Sequence, residues 1–195
     1  MKQLIDITRE LLSCEVFPGD PSPEMTPLLR MADGGACNLS RLSMCLHNGT
    51  HVDAPYHFIP GGKTISQIPP GTFTGECFLA RREGDVTAAD AEDILRKARA
   101  AGAAERILIA GPATVTREAA EVFAGAGILL LGNESQTVGP ADDPGPVHLA
   151  LLGAGAVLLE GVVLTGLEEG KYFLNAAPLK IAGADGAPCR AWLMR

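Results

Sequence analysis

The hydrophobic period of the chain changes near residue 87, and the change separates two kinds of predicted structure. Before it, short stretches alternate apolar and polar residues, as strands with one buried face do. Residues 3–8 (QLIDIT), 37–47 (CNLSRLSMCLH) and 72–81 (TFTGECFLAR) read as strands. Between the first two, residues 15–27 (EVFPGDPSPEMTP) carry four prolines and read as broken loop.

From Thr87 the period becomes helical. Residues 87–104 open on an N-cap threonine, continue with acidic residues in the first turn and end in basic residues before Gly102. RILIAG (106–111), TREAAEVFAGAG (116–127) and ILLLG (128–132) follow as strand, helix and strand, for which a right-handed parallel crossover is the natural arrangement. PVHLALLGAG (146–155) and AVLLEGVVL (156–164) repeat the helix and strand pattern. Residues 172–195 read as two strands joined by a turn at Asp185 and Gly186. The expected fold class is α/β: one mixed sheet, with a β-rich N-terminal third followed by βαβ units. No linker or internal repeat divides the 195 residues, so one domain is expected over 1–195.

Composition then narrows the function. A net charge of −7 with scattered basic residues argues against a nucleic-acid surface, which needs clustered Lys and Arg. Charge returns at Asp6 before any signal-like apolar run, and the stretches GAGILLLG (125–132) and GAGAVLLEGVVL (153–164) are too short and glycine-rich to cross a bilayer. Five cysteines form no C-x-x-C pair, which points to reduced thiols in a cytoplasm, packed as small buried hydrophobes. The expected partner is a small-molecule substrate, not nucleic acid or membrane.

Only four histidines occur, and three of them, His47, His51 and His57, share eleven residues with Asp53. In a straight strand His47 and His51 would stand about 13 Å apart at roughly 3.3 Å per residue, too far to share an ion. A helix would close that gap, but Gly49, Thr50, Val52 and Pro55 oppose one. The segment is therefore expected to turn at Gly49, resume as strand through His51 and Asp53, and turn again at Pro55. Imidazole and carboxylate suit zinc, manganese or iron, and no thiol has the spacing of a structural zinc knuckle, so an open catalytic metal site is favoured. The competing account is a group of solvated loop histidines or a pH-sensitive surface. His148 opens a predicted helix and Glu160 ends an apolar strand. A carboxylate buried there needs a cation or a donor, unless it emerges into water at the strand end.

The pattern H-x-G-T-H-x-D-A-P-x-H, His47 to His57, resembles the cyclase family of metal-dependent hydrolases, which includes bacterial kynurenine formamidases and isatin hydrolases. IDIT, PGD, CNLSRLSMCLH, LLEGVVL, APLKI and DGAPCR look like that family's landmarks in their usual order. The resemblance implies a swivelling β/β/α fold and metal ligands at His47, His51 and Asp53, with Asp53 able to bridge two ions. It further implies His148 and Glu160 as distal ligands and His57 as general acid or base. The implied cofactor is one or two divalent ions, Zn2+ first and Mn2+ next, and the implied assembly a homodimer or higher homo-oligomer. The implied reaction is hydrolysis of an arylformamide or cyclic amide by a metal-activated water. The same ligands could serve lactone hydrolysis or dehydration, or ligand binding alone, but His57, a proton shuttle, favours an enzyme. Phe17 stands where the formamidases usually carry tryptophan and is expected to wall the substrate pocket. Two departures bear on the substrate: the middle of the chain is short, and Asn133, Glu134 and Gln136 stand where the family more often has aspartate and proline.

Overall fold

A computed structural model describes residues 3–195. Four strands lie parallel and adjacent, the first just ahead of the change of period at Thr87 and the other three beyond it: β5 (Thr74–Arg81), β7 (Arg106–Ala110), β9 (Leu130–Asn133) and β10 (Val157–Glu160). The helices α1 (Ala88–Ala100), α2 (Arg117–Gly125) and α3 (Gly145–Gly153) connect them in turn. Between β5 and α1 runs β6 (Gly84–Val86), which pairs in parallel with β8 (Ala113–Val115) in a two-stranded sheet of its own.

Antiparallel strands extend the parallel centre on both sides. On one side come β11 (Gly170–Asn175), β13 (Trp192–Met194) and β1 (Leu4–Asp6); on the other come β4 (His51–Asp53) and β12 (Gly186–Pro188). The nine-stranded order is β1-β13-β11-β5-β7-β9-β10-β4-β12. Among the described residues no helix is long and apolar enough to cross a membrane.

The central strands are apolar on both faces because both faces are covered. Leu79, Leu108, Leu130 and Leu159 point into one core with Val52, Ile7 and Leu193. Phe78, Ile107, Ile109, Leu131 and Leu158 point into the other, against Ile94, Leu95, Phe123 and Leu151 of the helices. Alternation along β10 therefore puts Glu160 on the helix face with Leu158, and alternation along β4 puts His51 and Asp53 on that same face, opposite Val52.

Thr87 caps α1 in a capping box with Asp90, and Thr116 caps α2 by accepting from Ala119 N. Three expectations are corrected. Residues 37–47 do not form a half-buried strand: among the described residues β3 (Leu39–Ser43) pairs only with β2 (Glu24–Leu29), and every residue of both is exposed. Alternation there marks a two-stranded ribbon standing off the body, and Pro27 sits in it at an irregular register. The cysteines are not uniformly buried, since Cys77 and Cys189 are buried but Cys37 is exposed and Cys14 and Cys45 are intermediate. Asp185 and Gly186 are not a hairpin turn: Gly186 begins β12, which pairs with β4, whereas β13 pairs with β11 and β1. Arg190, just beyond β12, pairs with Asp6 at the surface.

Candidate metal centre

The segment from His47 bends where its residues require it. Gly49 sits at φ +65°, which L side chains rarely adopt, and the strand resumes at His51, runs to Asp53 and gives way to a single 3-10 turn, Pro55–His57. In the β4/β10 register His51 lies directly across from Glu160 and Asp53 from Leu158. His148, in the second turn of α3, reaches the same place from above the sheet: its Nε2 lies 3.3 Å from Glu160 Oε1 and 3.5 Å from Asp53 Oδ2.

Asp53 is the centre of the cluster and is 1% exposed. Its Oδ1 lies 2.7 Å from His47 Nδ1 and 3.3 Å from His51 Nε2, while Oδ2 faces His148. Glu160, 3% exposed, offers Oε2 at 3.4 Å from His51 Nε2, and its Oε1 accepts the Val138 N–H at 2.9 Å. Two imidazoles are oriented from behind by backbone. His51 Nδ1 lies 3.1 Å from Gly49 O and His148 Nδ1 2.9 Å from Pro144 O, so in the neutral ring each Nδ1–H donates and each Nε2 lone pair faces the carboxylates.

The protonation balance shows how strongly the site favours positive charge. Burial pushes the His148 and His51 pKa values down, yet Asp53 and Glu160 override it, lifting His148 to about 10 and His51 well above the ordinary range. His47 is raised as well, by Asp53 and Asp185 against burial. Burial would raise Asp53, but His148, His47 and His51 hold it far below the usual carboxylate range. His57 moves the other way, lowered chiefly by burial. The side-chain atoms His51 Nε2 and Asp53 Oδ2 are buried without a hydrogen-bond partner among the described residues. Buried polar atoms normally have one, and a divalent cation between the carboxylates and imidazoles would satisfy both.

The structure thus brings His47, His51, Asp53, His148 and Glu160 together. His57 borders the group, its ring stacked on His47 with centroids 4.0 Å apart and 6.2 Å from His148. Phe17 does not join them: it is half-buried in a turn whose carbonyl accepts the Asp20 N–H, and no aromatic contact ties it to the histidines among the described residues. Two neighbours were missed by sequence reasoning. Phe58 packs on His148, with centroids 4.6 Å apart, and on His57; its place next to His57 was the available signal. Asp185 lies 2.9 Å from His47 Nε2, and its reading as a turn residue concealed it. Of the altered residues, Glu134, just after β9, acts as a strut. Glu134 accepts from Gly111 N and Leu164 N, and the 133–138 loop presents Val138 N to Glu160.

Comparison with known proteins agrees with this architecture. Residues 5–140 match the Cyclase family model, described as "Putative cyclase". A kynurenine formamidase from Salinibacter ruber is 35% identical over 204 residues, covering 97% of this chain and 96% of the relative. A solved structure described as a potential metal-dependent hydrolase with cyclase activity superposes with TM-score 0.83 at 28% identity, over 100% of this chain and 98% of that one. Isatin hydrolase A from Labrenzia aggregata shares the fold, with TM-score 0.81 at 22% identity, over 99% of this chain and 93% of its own. The chain belongs to the cyclase family. His148 and Glu160 lie beyond the matched span of the family model, but the Salinibacter alignment extends over nearly the whole chain.

Proposed function

We propose that this chain is a metal-dependent hydrolase of small amides, acting on carbon–nitrogen bonds other than peptide bonds, with an arylformamide or cyclic amide as substrate. One observation carries the reading: Asp53 is buried with one oxygen toward His47 and His51 and the other toward His148. With metal bound, that placement would let Asp53 serve two ions as a bridging carboxylate. His47, His51 and Asp53 would hold one ion, and Asp53, His148 and Glu160 a second, Zn2+ first and Mn2+ next. The full-length likeness to a kynurenine formamidase supports the substrate class.

A bound divalent ion supplies Lewis acidity toward the substrate carbonyl and acidifies water. The chain does the rest. His57 is half-buried beside the ligands and burial favours its neutral form, so its ring can take a proton and return it to the leaving nitrogen. Phe58 lies across His57 and His148 and shields the site from water on that side.

The ribbon supports a homodimer. Met25, Leu28, Leu29, Leu39 and Leu42 are each about half exposed on a two-stranded element that has no further strand in its sheet among the described residues. Such an arm is stable against a second copy and marginal in water. Five free cysteines suit the reducing cytoplasm.

The test is elemental analysis of protein purified without a histidine tag, paired with hydrolysis of N-formylkynurenine and of cyclic aryl amides by the same preparation. Stoichiometric divalent metal with turnover is expected. Protein that takes up no divalent metal, or turns over none of these amides when loaded, refutes the proposal.

A further inference from the structure

Each of the three histidines placed as ligands needs an acceptor behind it, because the hydrogen bond on one ring nitrogen decides which nitrogen keeps its lone pair. For His51 the acceptor is Gly49 O and for His148 it is Pro144 O. His47 sits in a turn, and its ring bonds no backbone carbonyl among the described residues. Its Nδ1 faces Asp53 Oδ1 at 2.7 Å, and its Nε2 faces Asp185 Oδ2 at 2.9 Å. The same Asp185 oxygen lies 3.4 Å from His57 Nδ1.

This placement is built into the backbone. The Ala54 N–H donates to Asp185 O at 2.8 Å, and the Ile65 N–H to Ala184 O at 2.9 Å, so the loop ahead of β12 is pinned to the motif on both sides. The next residue, Gly186, lies across from Asp53, and a Cβ there would come within 2.8 Å of His47 Cε1. The His47 ring is thus seated between two carboxylates over a glycine.

We infer that Asp185 is a positioning residue of the centre: it accepts the Nε2–H of His47, leaving Nδ1 free to ligate beside Asp53, and steadies His57 against that ring. The inference rests on the roles proposed above for His47 and His57. Asp185 gives His47 what the carbonyls of Gly49 and Pro144 give the other two ligands. It also ties a metal ligand to the acid/base histidine through one oxygen, so its loss affects both metal retention and proton transfer. A surface ion pair of purely structural value would affect neither.

The test compares Asp185→Asn and Asp185→Ala with the parent chain. Metal-free protein is titrated with Zn2+ against a chromophoric chelator, and kcat and KM are measured on the loaded enzyme. For Asp185→Ala, Zn2+ affinity is expected to fall about 10- to 100-fold, as for other outer partners of ligating histidines. Asp185→Asn, whose amide oxygen still accepts the Nε2–H, should recover part of that loss. Both should lower kcat while leaving KM nearly unchanged. Asp185→Ala with parental Zn2+ affinity and parental kcat overturns the inference. If that variant does not fold, Asp185→Asn decides alone, and parental affinity with parental kcat again overturns it. A parent chain that binds no Zn2+ at all instead refutes the functional reading, so the two failures are distinct.

Discussion

Glu160→Gln isolates the charge of one carboxylate with little change of shape. The side chain is 3% exposed, and one oxygen accepts the Val138 N–H, a bond that a glutamine oxygen can keep. What disappears is the anionic donor set toward His51 and His148, at 3.4 and 3.3 Å. A first ligand should matter at least as much as outer partners, whose loss costs up to about 100-fold in metal affinity. With free Zn2+ at a hundred times the dissociation constant, binding stabilises the parent by about 2.7 kcal/mol. For a chain of this size that is roughly 5–11 °C in Tm, at about 2–4 °C per kcal/mol. A 100-fold weaker variant at the same Zn2+ concentration gains only about 0.4 kcal/mol, or roughly 1 °C. The assay is a thermal melt by circular dichroism with and without Zn2+, at fixed protein and free-metal concentration. A Glu160→Gln protein whose Zn2+-induced shift equals the parent's would refute the assignment of Glu160 as ligand.

Further outcomes follow from the same geometry. His57→Ala should abolish turnover with metal per chain unchanged by elemental analysis; equal loss of both would make His57 a ligand. Gly186→Ala should weaken Zn2+ binding and lower the urea midpoint, because the new Cβ would stand 2.8 Å from both His47 Cε1 and Val52 O, and overpacking of this kind costs about 1–3 kcal/mol. Against burial, which raises it, Glu169 has its pKa lowered by Lys97 and by the Arg81 N–H. Its contribution is therefore present above the ordinary glutamate value of 4.5 and lost as pH falls through the lower folded value. Urea melts should show Glu169→Gln less stable than the parent at neutral pH, with the gap closing in acid. Leu29→Glu with Leu42→Glu on the ribbon should yield monomers in sedimentation velocity; an unchanged assembly would place the interface elsewhere.

Local patterning decided much of this protein. The helix caps at Thr87 and Thr116, the apolar strands of the parallel centre and the bend at Gly49 are all written in neighbouring residues, because propensity and side-chain period act over a few positions. The pairing of the C-terminal strands is not written that way. An Asp-Gly pair between two extended stretches satisfies the local rules for a hairpin, but the strands before and after it, β11 and β12, do not pair: β12 is one edge of the sheet and β11 lies on the far side of the parallel centre. Only sheet assembly decided that β12 pairs with β4, and with it that Asp185 meets His47. Residues 37–47 show the converse: their alternation is real, but alternation cannot say whether a strand's apolar face is covered within its own chain. The histidine cluster was visible because its members are close in sequence. Glu160 and His148 came within 3.5 Å of it through strand register and helix packing, which join residues about a hundred positions apart and leave no trace in local composition.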